Sequence, residues 1–417
     1  MYAFGMSGSD WSRALAVAAF VGSYAALGLG RVPGFRVDRT GVAIIGAAAM
    51  VVSGVLGWDE AVASVDAHTL VLLFGMMIVT GYLRLSGFFG LVMAWAIRNA
   101  RTPLALLGVI TAASGVLSAF FVNDVVCLVL TPVVLAVTRR LLLPPVPYLI
   151  ALATAANVGS VATLTGNPQN MLVGSFSGIG YRRFLAREAP VAGAGLLAVF
   201  LTVWAVYRHQ LPHAPLDAPP DARLAVHYPL MWKTVAAVSV MLAAFLAGVP
   251  IAIVAIAGAA VTLVTRRVKP QKVYREISWE LLVLFAGLFV VTAGVERTGF
   301  VDILLDWARA ANLQRPWVLT SVTAVLSNLV SNVPALLLLK PLVPALGDAE
   351  RTWLILAMAS TLAGNLTILG SVANLIVVEA ARVARVEIGF VEYARVGVPL
   401  TLVTLVLGWL LLSVLRG

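Results

Sequence analysis

Two stretches of this chain are near copies of each other, and each places polar residues in the middle of an apolar run. The first reads Leu117-Ser118-Ala119-Phe120-Phe121-Val122-Asn123-Asp124, the second Leu326-Ser327-Asn328-Leu329-Val330-Ser331-Asn332-Val333. A constant shift of 209 superposes Leu117 on Leu326, Ser118 on Ser327, Asn123 on Asn332 and Pro132 on Pro341. Further along, a shift of 204 superposes Thr163 on Thr367, Gly166 on Gly370 and Asn170 on Asn374. Earlier, a shift of 212 superposes Thr80, Gly87 and Phe88 on Thr292, Gly299 and Phe300. The chain is therefore two copies of one unit, and any fold for it must use each element twice.

Composition sets the solvent. Hydrophobic residues make up 61% of the chain and charged residues 12%, whereas a soluble domain carries about 25% charge. Mean hydropathy is +0.97, and the apolar runs are near the ~20 residues that cross a bilayer. These features describe a polytopic membrane protein. The net charge of +10 belongs to cytoplasmic loops, where Lys and Arg collect in such proteins, and makes no case for nucleic acid. A single cysteine, Cys127, excludes an internal disulfide and a cysteine-based metal cluster. No basic region followed by a small-residue cleavage site marks a signal peptide. No Gly-x-x-x-x-Gly-Lys-Ser/Thr pattern is found, so the chain holds no ATP-driven engine of its own. Nothing points to an enzyme, a cofactor or a bound metal.

In order, apolar spans are expected over about 13–29, 40–56 and 69–85, with an interfacial amphipathic helix over 88–97. Residues 103–140 are too long for one crossing, have their polar residues centrally, and are flanked by Arg98, Arg101, Arg139 and Arg140. A segment with both ends on one side is a re-entrant hairpin, tolerated at membrane depth where protein or a water-filled cavity covers it. A crossing over 147–178 is then interrupted at Gly166-Asn167-Pro168-Gln169-Asn170, and a span over 189–207 closes the first half, 1–207. Residues 208–229, with Pro212, Pro215, Pro219, Pro220 and three of the four histidines, read as a flexible cytoplasmic linker. The second half, 230–417, repeats the order: spans 230–247, 250–265 and 279–295, an amphipathic helix 300–311, a hairpin 316–346, a broken crossing 352–381 and a last span 393–415. The expected fold is all-α: about ten transmembrane helices plus two re-entrant hairpins. Five crossings per half is odd, so the halves must be inverted repeats. Charge bias in the loops puts both termini outside the cell membrane.

Hairpin tips and broken helices leave backbone N–H and C=O groups without intrahelical partners. Their N-terminal ends add a partial positive charge. Asn123, Asn170, Asn332 and Asn374 sit at repeat-matched positions and can both donate and accept. Duplicated chains with polar, broken helices at the midplane bind and carry small solutes there. The set expected to line such a site is Asn123, Asp124, Thr163, Gly166, Asn167, Asn170, Ser331, Asn332, Asn365, Thr367, Gly370, Ser371 and Asn374. Asp124 is the only acid at either tip. An ionisable side chain at membrane depth is by default functional, and a carboxyl shielded from water can take and release a proton near neutral pH. Glu379 and Glu296 are the alternatives for that task. Lys340 could bring a fixed charge or extend toward the surface, and Arg84, matched to Glu296, reads as a loop anchor.

Phe121-Val122-Asn123-Asp124 with Leu130-Thr131-Pro132 resembles the Phe-Ala-Asn-Asp hairpin of ArsB-type arsenite efflux pumps. Gly166-Asn167-Pro168-Gln169-Asn170 and the run Gly364 to Asn374 resemble the metalloid-efflux branch, which includes plant silicic acid exporters. Both belong to the ion transporter superfamily, with sodium/proton antiporters and sodium-coupled dicarboxylate transporters as further branches. The dicarboxylate branch carries Ser-Asn-Thr at both tips; here Val122-Asn123-Asp124 and Ser331-Asn332-Val333 lack both threonines and gain an acid. The resemblance implies a scaffold part and a moving transport part that work by an elevator-like shift. It favours a proton-coupled exporter of a neutral metalloid acid: arsenite, antimonite or silicic acid. The rival readings are a sodium- or proton-coupled carrier of carboxylates or inorganic anions, and a channel-like subunit driven by a separate cytoplasmic ATPase. The partners implied are the solute, protons and lipid, with a homodimer left open.

Overall fold

The computed structural model describes residues 8–29, 35–98, 100–211 and 226–414. Most of the expected linker, including Pro212, Pro215, Pro219 and Pro220, lies outside the described residues.

The described residues form α-helices joined by short turns, and each half contributes ten. The first half runs α1 (Gly8–Leu29), α2 (Arg39–Val52), α3 (Trp58–Ser64), α4 (Ala67–Ser86), α5 (Phe88–Arg98), α6 (Pro103–Phe120), α7 (Asn123–Arg140), α8 (Pro145–Ser160), α9 (Pro168–Phe176) and α10 (Tyr181–Tyr207). The second runs α11 (Tyr228–Leu246), α12 (Ile251–Leu263), α13 (Pro270–Tyr274), α14 (Trp279–Glu296), α15 (Phe300–Ala310), α16 (Pro316–Val330), α17 (Asn332–Leu339), α18 (Ala349–Ala363), α19 (Val372–Val383) and α20 (Phe390–Val414). Helices α4, α6, α10, α11, α14 and α20 are long and apolar enough to cross a bilayer, and shorter apolar helices accompany them. The protein is an all-α, multi-pass membrane protein.

Local chemistry fixes where these helices begin. Asp66 accepts the Thr69 N–H at 2.6 Å, Asp38 the Gly41 N–H at 2.8 Å and Asp348 the Arg351 N–H at 3.1 Å. Each satisfies a donor that the first helical turn leaves orphaned. Thr102 caps α6 with Pro103 at its first position, where a missing N–H costs nothing. Gly87 ends α4 and Gly299 precedes α15, both at φ 81°. That left-handed turn suits glycine, and it falls at matched positions of the two halves.

The halves interlock. Helix α4 packs on α12 of the other half, and α14 on α2. A Cβ on Gly75 would stand 2.7 Å from the Ala255 carbonyl, and one on Gly287 would stand 2.9 Å from that of Ala43. These two backbone approaches are the same contact, displaced by the shift of 212. Glycine at the crossing lets two helices meet closely where lipid supplies no hydrophobic drive between them. Helices α10 and α20 also pack on each other across the molecule, while α8 and α18 pack on α6 and α16. The core holds α8 and α18 almost wholly buried.

Several charged side chains pair at the helix ends. Arg84 pairs with Glu276, and Arg297 with Glu60 at 2.8 Å. The Gly57 N–H and the Arg297 guanidinium hold the Glu60 carboxyl below its usual range. Arg382 pairs with Glu379 at 2.8 Å on the exposed face of α19. Exposed pairs of this kind contribute little to stability.

Candidate functional site

The breaks in the two long crossings share one asparagine cap, although only the second contains a turn of tighter helix, Ile368–Gly370. Helix α8 stops at Ser160, and α9 starts at Pro168. The Asn170 amide reaches back and donates to the Ser160 carbonyl at 3.0 Å and the Thr163 carbonyl at 2.9 Å. In the second half the Asn374 amide donates to Gly364 at 2.8 Å and Thr367 at 3.0 Å. All six positions correspond at the shift of 204. Each asparagine thus replaces the helical partners that the broken segment lost. The glycines follow the same plan. A Cβ on Gly166 would meet the Ser160 carbonyl at 2.3 Å, and one on Gly370 the Gly364 carbonyl at 2.8 Å. Thr163 donates to the Ala119 carbonyl, which ties the first break to the hairpin.

A second layer joins the halves. Asn157, on α8, donates to Asn365 at 2.8 Å and Asn374 at 3.0 Å, and accepts from Ser371 at 3.0 Å and Asn123 at 2.9 Å. Its match at the shift of 204 is Thr361 on α18, which accepts from Asn167 and Gln169 of the first half, each at 3.1 Å. Each central helix therefore hydrogen-bonds the break of the opposite half. Asn157 and Thr361 form no repeat in residue type, and sequence reading passed over both. The available signal was a lone amide in an otherwise apolar span.

The hairpin tips come to the same level. Helices α6 and α7 are joined through extended Phe121 and Val122, and the Asn123 N–H donates to the Gly166 carbonyl at 3.1 Å. In the second hairpin the joint is Ser331, with φ 78° and ψ 160°. That backbone region is essentially confined to glycine. Asn332 is fixed by the Ser327 hydroxyl at 2.6 Å.

Between the two tips lies a cavity of about 440 Å³. Asn123 and Asp124 wall it from one hairpin, Ser331 and Asn332 from the other. Gln169 reaches it from the first break, Gly370 and Ser371 from the second. The N-termini of α7, α9, α17 and α19 all open onto it, with those of α2 and α14 at its exposed end, where Arg39 and Glu280 stand. Four central helix N-termini turn their partial positive charge toward one volume, although the Asn123, Asn170 and Ala373 N–H groups already have acceptors. Asn123 also keeps a buried Oδ1 without a hydrogen-bond partner. Such a site can hold a small solute that both donates and accepts, and it offers one central carboxylate.

Of the residues expected from sequence, Asn123, Asp124, Ser331, Asn332, Gly370 and Ser371 line this cavity. Thr163, Gly166, Asn167, Asn170, Asn365, Thr367 and Asn374 stand behind it as the caps and cross-bridges just described. Glu379 is on the exposed side of α19 with Arg382, and Glu296 is exposed at the end of α14. Lys340 stands 4.3 Å above the Phe176 ring, away from the cavity.

The comparisons agree with this architecture. The chain is 32% identical to the silicon efflux transporter LSI3 of rice (Oryza sativa subsp. japonica) over 90% of this chain and 93% of that one. It is 24% identical to the putative transporter arsB of Dictyostelium discoideum, over 89% of this chain and 86% of that protein. Its fold matches MtrF of Neisseria gonorrhoeae, described as illuminating a class of antimetabolite efflux pumps, with a TM-score of 0.63 at 14% identity, covering 97% and 94% of the two chains. Residues 24–363 match the sequence profile of a citrate transporter family. With its duplicated bundle and central polar cavity, the chain belongs to that family, CitMHS, and is a membrane transporter.

Proposed function

We propose that this protein is a secondary active transporter that exports a small metalloid oxyacid, with arsenite, antimonite and silicic acid as the candidates, in exchange for protons. One observation carries the reading. At its centre the cavity between the tips is walled by uncharged hydrogen-bonding groups from both halves and by one acid, Asp124, while Asp38, Arg39 and Glu280 stand at its mouth. A neutral polyhydroxyl acid suits that wall, since its hydroxyls donate to the carboxylate and accept from the helix N-termini. The rice relative's printed activity, silicon efflux, points the same way. Uphill export of an uncharged solute needs a counter-moving ion. A carboxylate that binds solute hydroxyls in one state and a proton in the other provides antiport, because each ligand lowers the affinity for the other. The interlocked α2–α14 and α4–α12 pairs serve as the scaffold, and the tips and breaks move against it. Both termini lie outside the cell membrane in this reading, which places the exposed end of the cavity on the cytoplasmic side.

A second reading has its own support. Arg39 at the mouth and the converging helix N-termini favour an anion, and the family's description names citrate. Uptake by proteoliposomes of labelled arsenite, silicate, citrate and succinate, with imposed pH or sodium gradients, separates the two. Accumulation of arsenite or silicate driven by a pH gradient alone is the expected result. Accumulation of citrate or succinate in its place establishes the anion carrier.

A further inference from the structure

Within each part of the molecule the two halves match, but between the parts they do not. On one side, α9 packs against the start of α4. The Ser175 hydroxyl donates to the Asp66 carboxylate at 2.8 Å. Gly174 lies so close to Ile251 that a Cβ would meet its Cδ1 at 2.9 Å, and Phe176 meets Phe289 with ring centroids 6.0 Å apart. This side is closed. On the other side, α19 makes no comparable packing against α14, and the cavity separates the two.

The registers say what the second side could do. Helices α4 and α14 start at matched positions at the shift of 212, with Asp66 and Ser278 as their N-caps. Helices α9 and α19 start at matched positions at the shift of 204, which puts Ser175 opposite Glu379. In the closed pair the acid is on the scaffold and the hydroxyl on the moving helix. In the open pair the hydroxyl, Ser278, is on the scaffold and the acid, Glu379, on the moving helix. The residue types are exchanged, yet the donor–acceptor pair survives the exchange. At present Ser278 lines the cavity and makes no side-chain cap bond in α14, while Glu379 binds exposed Arg382.

We propose that Ser278 and Glu379 are the latch of the opposite-facing state: when the tips cross over, the Asp66–Ser175 bond opens and the Ser278 hydroxyl donates to the Glu379 carboxylate. This rests on the alternating-access reading above, not on the identity of the solute. Arg39, matched to Ile251 at the shift of 212, would come beside Val378 and add a cation near Glu379. Glu280 and Asp38 are the other charged groups at that mouth, and Arg382 is the present partner. A hydrogen bond to a charged group shifts a two-state ratio by roughly tenfold or more. Removing either latch should therefore bias the carrier toward the state held by the other.

The test uses the full-length carrier in membranes, with Cys127→Ala to remove the native thiol. Ser331→Cys reports access to the cavity through its labelling by a membrane-impermeant thiol reagent from each side. Glu379→Ser leaves two hydroxyls and Ser278→Asp leaves two acids. Each should slow exchange about tenfold and hold Ser331→Cys accessible from the presently open side. The double variant Ser278→Asp/Glu379→Ser rebuilds the chemistry of the Asp66–Ser175 pair and should restore both readouts. Ser175→Ala should bias labelling toward the opposite side. The latch is overturned if the double variant is no better than the singles, or if Ser175→Ala and Glu379→Ser shift labelling in the same direction. A wrong solute assignment would leave these labelling patterns intact. Failure of alternating access itself would appear as Ser331→Cys labelling from one side in every variant.

Discussion

The two hairpins occupy equivalent places, yet they are different devices. The first joins two 18-residue helices through an extended joint and carries Asp124 on the first turn of α7. The second joins a 15-residue helix to an 8-residue one followed by a turn of tighter helix over Lys340–Ala345, and its tip has no charge. Where the first half places an acid, the second places Val333. Where the first relaxes into extended backbone, the second holds Ser331 in a conformation that costs about 1–3 kcal/mol for any residue with a Cβ. Duplication supplied a symmetric frame; the chemistry was then divided, with a titratable group in one half and a strained joint in the other.

The largest expected effect comes from erasing that division at the acid. Asp124→Asn keeps shape and most hydrogen bonds but cannot titrate. Vesicles carrying it should lose accumulation driven by a pH difference while retaining equilibrium exchange of labelled solute. Moving the acid with Asp124→Val/Val333→Asp should not restore accumulation if the two tips are functionally distinct, and full restoration would make them interchangeable. Next come the glycines of the breaks. Gly166→Ala forces a Cβ to 2.3 Å from the Ser160 carbonyl and Gly370→Ala to 2.8 Å from that of Gly364. Overpacking of this kind costs about 1–3 kcal/mol, with Gly166 at the upper end. Thermal unfolding in detergent should rank Gly166→Ala below Gly370→Ala, and the reverse order would show that the second break is the stiffer.

A smaller difference is expected across the central bridge. Asn157→Ala leaves Asn123, Asn365, Asn374 and Ser371 short of a partner and should cost about 2–3 kcal/mol. Thr361→Val removes one acceptor shared by two amides and should cost about 1 kcal/mol. Equal losses would mean that the bridge is not lopsided. The smallest effect is at the strained joint. Ser331→Gly relieves the backbone and should stabilise the protein by about 1 kcal/mol, read as a raised Tm, at the expense of solute affinity. A lowered Tm would mean that the serine side chain holds the tip more than its backbone strains it.

Much of the fold was legible because membranes leave few choices. Apolar runs, a duplicated order and polar centres gave the helices, the two hairpins and the two breaks. The site was legible only where the halves repeat. Asn123, Asn332, Gly370 and their neighbours announced themselves by position, and six of the thirteen expected residues face the cavity. Repeat matching cannot tell a residue that faces the cavity from one that caps the backbone behind it. Asn170 and Asn374 are matched as well as any pair, and both spend their amides on carbonyls. It also misses contacts made between halves by unlike residues, as with Asn157 and Thr361. Arg39 and Gln169 enter the cavity wall only through packing, which no pattern along the chain records.

Under the proton exchange proposed above, the amide caps on the breaks bear on a hazard that any proton-coupled carrier meets. Carbonyl groups freed in mid-membrane would ordinarily draw in water, and a file of water molecules passes protons along itself. An amide cannot relay a proton in that way, since it has no proton to give up near neutral pH. By sealing the carbonyls at 160, 163, 364 and 367 with their own side chains, Asn170 and Asn374 act as insulation. On that proposal they interrupt two helices without opening a short circuit beside Asp124.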